Sequence, residues 1–265
     1  QRMEQGSPLC VRLGEGGFII KEGLLQILFP PRCVVCDEIL EAELIRGGSW
    51  IHPDCGRKLY PVGNNVCFRC GKPLAAVEQE YCFDCKKKLA GRNALYCRQG
   101  RSVYVYKGEI RKSVYRLKYS NRREYARFFA EETAKYYSDW CKRAGVEAIV
   151  PVPMYGRKKR RRGYNQAEII ARELARILGL PMENAAVKRV RNTKPQKLLS
   201  DEERKNNLKK AFQARKFIVK YKKILLVDDI YTTGSTVEAV AHELMRCGVE
   251  QVFFLTLCTG EGIVM

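Results

Sequence analysis

The chain has 265 residues, 46% of them hydrophobic and 29% charged, which suits two modest domains with a packed core. That balance excludes a disordered tail, a collagen-like fibre and a small disulfide-stapled module. The formal charge of +20 is unevenly placed: residues 1–90 hold 12 Lys+Arg against 11 Asp+Glu, and residues 91–265 hold 37 against 18. A field that positive draws phosphates, on a metabolite or on a nucleic-acid backbone.

In chain order, the first apolar stretch is Gly17 to Pro30, interrupted by Lys21 and Glu22. It falls short of the ~20 apolar residues that span a bilayer. It also lacks the basic start and small-residue cleavage site of a signal peptide. A short amphipathic helix in an N-terminal extension, residues 1–29, is the expectation. The sequence opens on Gln1, so the natural start is expected at Met3 or upstream. A cytoplasmic protein without a transmembrane segment follows.

Twelve cysteines come next, and their spacing explains most of them. Cys33-x-x-Cys36, His52-x-x-Cys55, Cys67-x-x-Cys70 and Cys82-x-x-Cys85 form four ligand pairs. A two-residue spacer lets both side chains of a tight knuckle face one tetrahedral metal, and two knuckles complete it. Eight ligands make two closed structural Zn2+ sites. Under sequential pairing one has three cysteines and a histidine, the other four cysteines. A disulfide framework is the competing reading, but no secretory segment supports it. The double ribbon is expected over residues 30–90. Of the remaining cysteines, Cys247 and Cys258 read as small buried hydrophobes.

A different texture begins near residue 91 and runs to 265 as the second domain. Ala126, Phe129, Ala130, Thr133, Tyr137 and Trp140 repeat at helical spacing until Gly145. Ala148 to Val152 reads as a buried strand. Ala167, Ile170, Ala171, Leu174 and Leu178 give a second helix, stopped by Gly179 and Pro181. Ile224 to Val227 reads as a strand, Val237, Val240, Ala241 and Leu244 as a helix, and Val252 to Leu257 as a final strand. Alternating strands and helices imply an α/β fold, a parallel sheet with helices on both faces.

The chemistry concentrates in Ile224-Leu225-Leu226-Val227-Asp228-Asp229-Ile230-Tyr231-Thr232-Thr233-Gly234-Ser235-Thr236. Four apolar residues place two adjacent carboxylates at the carboxyl end of a strand, where α/β sheets bind ligands. The Gly-containing, hydroxyl-rich turn then opens into a helix whose N-terminus can cradle a phosphate. Diol-binding acids beside a phosphate cradle describe a ribose 5-phosphate. A response-regulator receiver domain also has a strand ending in adjacent acids, but such a domain needs roughly 120 residues. Only 36 residues follow Asp229.

Residues 224–236 resemble the PRPP-binding motif of type I phosphoribosyltransferases, PRPP being 5-phosphoribosyl 1-pyrophosphate. The zinc pairs, Val150-Pro151-Val152-Pro153, the block Arg162-Gly163-Tyr164-Asn165-Gln166 and the block Arg191-x-Thr193-x-x-Gln196 narrow the resemblance to the ComF (ComFC) family. It covers about residues 24–260. His52 stands where that family often has Cys, and His is an ordinary zinc ligand. The resemblance implies that Asp228 and Asp229 hold the ribose hydroxyls and that Thr232, Thr233, Gly234, Ser235 and Thr236 bind the 5-phosphate. Mg2+ would arrive on the PRPP. Arg157, Arg162, Gly163, Asn165, Gln166, Arg191, Thr193 and Gln196 are candidates for the pyrophosphate and the mobile loop, with Arg204 and Asn207 further along that loop.

Six of residues 154–163 are Lys or Arg, more than one pyrophosphate requires. Lys158, Lys159, Arg160 and Arg161 are therefore candidates for nucleic acid, beside tyrosines at 104, 106, 115, 119 and 125 that suit base stacking. The reading that follows is a PRPP-binding, phosphoribosyltransferase-like protein of natural competence that assists single-stranded DNA uptake. The resemblance adds a competence helicase-type partner and a place at the inner face of the membrane. The alternative is an active phosphoribosyltransferase of nucleotide or related metabolism with an unknown acceptor. A third is a zinc-ribbon interaction protein with a silent transferase fold.

Overall fold

The computed structural model describes residues 30–91, 95–191 and 211–261. The expected N-terminal helix and the loop candidates Thr193, Gln196, Arg204 and Asn207 lie outside the described residues.

The ribbon region is built from short turns. Cys33 to Cys36 forms one turn, closed by Asp37 in the left-handed region at φ 71°. Helix α1 (Ala42–Arg46) follows, then α2 (Pro53–Gly56), which starts on a proline and carries Cys55. Cys67 to Cys70 forms the second turn, with Gly71 at φ 72°. Added to Gly71, a Cβ would lie 2.7 Å from the carbonyl oxygen of Gly100, so only glycine permits this approach. Helix α3 (Phe83–Ala90) carries Cys85.

The larger part alternates strand and helix. In order it contains β1 (Cys97–Val105), α4 (Glu109–Tyr119), α5 (Tyr125–Ala144), β2 (Ala148–Pro151), α6 (Gly156–Arg162) and α7 (Gln166–Leu178). A small antiparallel pair, β3 (Val187–Arg189) and β4 (Phe212–Ala214), precedes β5 (Lys223–Tyr231), α8 (Ser235–Arg246) and β6 (Gln251–Thr259). The main sheet has the order β1-β6-β5-β2, and every pairing in it is parallel. Gly145 and Gly179 end α5 and α7 in the left-handed conformation, as their positions after the last apolar repeat imply.

Period-2 alternation decides which face each strand residue meets. Leu225 and Val227 join the cluster formed with α4, α5 and α7, whereas Ile224 and Leu226 join the cluster formed with α8 and the small hairpin. Phe253 and Leu255 against Val252 and Phe254 repeat the pattern on β6. All eight are buried, each worth roughly 1.5–3 kcal/mol over exposure, which is why parallel strands read as unbroken apolar runs. The strand expected over 224–227 runs on to Tyr231, because Asp228, Ile230 and Tyr231 keep pairing with Thr256, Cys258 and Thr259. Cys258 is fully buried, while Cys247 is only partly so.

Both outer strands of the sheet have neighbours. Along β1, Val62 N–H donates to the Val103 carbonyl (2.8 Å), Val105 N–H to Tyr60 (2.8 Å) and Gly100 N–H to Arg69 (2.7 Å). Along β2, Ile149 N–H donates to the Pro181 carbonyl (2.9 Å) and Glu183 N–H to that of Ile149 (2.8 Å). No helix among the described residues is long and apolar enough to cross a membrane.

Candidate functional site

The same alternation separates the two adjacent acids. Asp229 shares the parity of Leu225 and Val227, so it meets α4 and α7: Lys118 Nζ lies 2.7 Å from its Oδ2 and Gln166 Nε2 donates to that oxygen at 2.6 Å. Asp228 shares the parity of Leu226, on the side of β3, where Arg189 is its nearby cation, and its Oδ1 accepts from Asp229 N–H at 2.8 Å. Burial opposes the charge on Lys118, but the Asp229 carboxylate, with Asp228 behind it, more than offsets this and holds the ammonium above its ordinary value. For Asp228, burial and then the neighbouring Asp229 charge push the carboxyl up to about 7.

This shift has a testable sign. The unfolded chain releases the Asp228 proton near the ordinary value of 3.8, the folded chain only near 7. The carboxyl therefore leaves folding unaffected in acid and destabilises it increasingly as pH climbs, fully above the folded value. Asp228→Asn is expected to raise the melting temperature relative to wild type more at about pH 8 than at about pH 4. A difference that does not vary with pH would refute the shift.

These groups line a cavity of about 340 Å³ with Tyr119, Val152, Pro153, Met154, Lys158, Arg162, Asn165 and Thr236. Acids and cations share this lining, with Lys118 directly against Asp229. The segment 232–236 lies directly after β5, with Gly234 at φ 78° as the N-cap of α8. A side chain there would drive into the Tyr231 ring, which stacks on Phe254 at 4.8 Å. Thr233 Oγ1 and Ser235 Oγ share a hydrogen bond at 2.8 Å. Of this segment Thr236, in the first turn of α8, lines the cavity with the acids, and the N-terminus of a helix can take a phosphate.

The other candidates separate by role. Asn165 caps α7 by accepting from Ala167 N–H (3.2 Å) and donates to the Val152 carbonyl (3.0 Å). Together with Gln166 it lines the cavity and ties its wall to β2 and β5. Arg162 donates to Gln166, and its guanidinium lies 4.7 Å over the Tyr119 ring. Gly163 turns the chain at φ 85° after α6. Arg157, Lys158, Lys159, Arg160 and Arg161 are exposed on α6, with Lys158 also lining the cavity and Lys159 held by Glu168 at 2.6 Å. Arg191 is exposed at the edge of the described residues. Sequence reasoning missed Lys118, Met154 and Arg189, and it offered Tyr119 as a base-stacking residue rather than as cavity lining. Of these, Lys118 and Tyr119 follow Ile110, Val114 and Leu117, whose helical spacing signals α4.

The eight zinc-ligand candidates fall into two groups: Cys33, Cys36, His52 and Cys55, then Cys67, Cys70, Cys82 and Cys85. Within each group the donor atoms all lie within 4.8 Å of one another, and all seven cysteines are free thiols. His52 Nδ1 faces the Cys36 sulfur (3.4 Å) and the Cys55 sulfur (4.0 Å), while Nε2 faces the Ile39 carbonyl (3.3 Å). Nδ1 is therefore the ligating nitrogen, and Nε2–H donates to the carbonyl that orients the ring. Three thiolates with an imidazole, and four thiolates, are ligand sets that fit structural Zn2+, whose binding supplies folding energy.

Both zinc groups are tied to the cavity. Beside the first, Asp37 accepts from Arg122 (2.9 Å) and Tyr125, and Arg116 of α4 donates to the Val35 carbonyl at 2.9 Å. Beside the second, Lys88 Nζ on α3 donates to the Thr233 carbonyl of the 232–236 loop. Arg69 pairs with Glu238 of α8 at 3.1 Å, and Glu238 also accepts from Tyr96 and Cys97 N–H at 2.7 and 3.0 Å.

A parallel sheet with this acid-and-loop site, preceded by two four-ligand zinc sites, defines a phosphoribosyltransferase-type domain behind a double zinc ribbon. Family comparison agrees: the double zinc ribbon domain matches residues 24–86 and the phosphoribosyl transferase domain residues 161–262. Competence protein F of Haemophilus influenzae is 44% identical over 108 residues, 40% of this chain and 47% of that protein. DNA utilization protein YhgH of Salmonella typhimurium is 35% identical over 160 residues, 59% of this chain and 70% of that protein. Competence protein ComFC of Bacillus subtilis is 29% identical over 154 residues, 57% of this chain and 60% of that protein. The chain thus spans from just under half to about two thirds of the length of these relatives. It belongs to the ComF family.

Proposed function

We propose that the chain binds PRPP, carried with Mg2+, in the cavity at the carboxyl ends of β5 and β2, and that it serves the handling of single-stranded DNA through the adjoining basic surface. The observation that carries this reading is the cavity's polarity. Asp228 and Asp229 line it together with Thr236 at the α8 N-terminus and with four cations: Lys118, paired to Asp229 at 2.7 Å, and Lys158, Arg162 and Arg189. The acids would take the ribose hydroxyls, the loop the 5-phosphate, and the cations the pyrophosphate. Gln166 and Asn165, which also line the cavity, hold Asp229 and the Val152 carbonyl in place. The DNA part rests on the names of the relatives and on the exposed cations of α6.

Titration calorimetry with PRPP and Mg2+ tests the site, and repetition with single-stranded DNA tests its relation to the second ligand. Saturable binding near one PRPP per chain is the expected result. No heat and no displacement of a labelled analogue would remove the reading.

A further inference from the structure

Helix α4 has two faces of different chemistry. Ile110, Val114 and Leu117 are fully buried, whereas Tyr115 and Tyr119, one turn apart, are 59% and 60% exposed. Their ring centroids lie 4.9 Å apart at 43°. Other tyrosines of the same stretch are placed as core residues: Tyr104 and Tyr125 are buried with their hydroxyls on Glu132 and Asp37. Core packing accounts for those two and not for Tyr115 and Tyr119.

The surroundings of the exposed pair are cationic. Arg162 stacks on Tyr119, and Arg157, Arg160 and Arg161 are exposed along the same short helix, α6. Tyr119, Lys118 and Arg162 also line the cavity, so the aromatic pair borders its mouth.

From this placement we propose that Tyr115 and Tyr119 form a nucleobase-stacking ledge for single-stranded DNA, whose phosphates run along the cations of α6. The proposal rests on the reading that the chain handles single-stranded DNA, and it names where the bases go. Flat π faces beside guanidinium groups match a polymer with alternating anionic and aromatic parts. A duplex presents the same phosphates but keeps its bases stacked on one another, so the ledge favours single strands. Arg162 belongs to both surfaces: it lies over Tyr119 and also lines the cavity. The path of the bases therefore passes the cavity mouth.

The test uses the full zinc-loaded chain and three probes: an oligothymidine of about 20 nucleotides, an abasic oligonucleotide of equal length, and a duplex. Wild type is expected to bind oligothymidine at least about tenfold more tightly than the abasic strand, which has the same charge and no bases. Tyr115→Ala with Tyr119→Ala should bring oligothymidine down to the abasic level, leaving abasic binding and the salt slope unchanged. Tyr115→Phe with Tyr119→Phe should retain wild-type binding. Arg160→Ala with Arg161→Ala should weaken both strands and flatten the salt slope. Equal wild-type affinity for the two strands, or unchanged oligothymidine binding in the double Ala variant, overturns the ledge and leaves the DNA reading standing. A wild-type chain that binds neither strand overturns the DNA reading itself, and the ledge with it.

Discussion

Asp228→Asn combined with Asp229→Asn is expected to lower PRPP affinity by roughly 2–5 kcal/mol, read by calorimetry with Mg2+ present. The two carboxylates start on opposite faces of β5 and both line the cavity, so each can reach a different ribose hydroxyl. Charge-assisted hydrogen bonds contribute on the order of 1.5–3 kcal/mol each and are not fully additive, which sets that range. The effect on stability divides between the residues. Like-charge repulsion alone leads one to expect a slightly more stable double variant, but the ion pair of Asp229 with Lys118 at 2.7 Å changes the sign for one of them. Asp229→Asn leaves a largely buried ammonium without its carboxylate, a loss on the order of 3 kcal/mol. Asp228→Asn relieves an acid that burial already keeps partly protonated near neutrality. Wild-type PRPP affinity in a folded double variant would show that these acids do not hold the ribose.

Removing zinc is expected to unfold the ribbon region. Purified protein should contain close to two zinc ions per chain, measured by atomic emission, because two groups of four convergent donors are present. Structural zinc contributes binding free energy on the order of 10 kcal/mol per site, more than the marginal stability of a small ribbon. The loss should extend to the cavity, since Lys88 holds the Thr233 carbonyl and Arg69 holds Glu238. A chelator should therefore abolish PRPP binding along with the ribbon's circular dichroism signal. His52→Ala removes one ligand of the first group only, so about one tightly held zinc should remain. Folded protein prepared without chelators and free of metal would rule the zinc reading out.

Local pattern made much of this legible. The two-residue spacers of the ligand pairs, the apolar run before Asp228 and the Gly-hydroxyl loop each depend on neighbours in the chain. They could be read without knowing the fold. Lys118 could not. Its neighbours Ile110, Val114 and Leu117 mark a helix, but only the packing of α4 against the sheet aims residue 118 at residue 229. The split of the acids between two faces was implicit in period-2 alternation, once the strand was known to continue past Val227. Asn165 and Gln166 lay in a block that the resemblance marked as important. Their bonds to Val152 and Asp229 tie the cavity wall together, a detail that sequence spacing does not contain. Tyr104 and Tyr119 were equivalent as letters, and tertiary burial alone separates them.

The two borders of the main sheet are closed with different materials. At β2 the closing residues, 181–183, follow α7 and belong to the same packed unit. At β1 they are Tyr60, Val62 and Arg69, from the span between His52-x-x-Cys55 and Cys67-x-x-Cys70 and from the second of these pairs. That span holds its shape only while metal holds the knuckles on either side. A strand with bare N–H and C=O groups is a template for pairing with another chain. Metal starvation is thus expected to bare this border of the sheet, and the zinc-free chain is a candidate for strand-to-strand aggregation rather than for quiet inactivity. In this architecture the ribbon acts as a selvedge, and zinc keeps it from fraying.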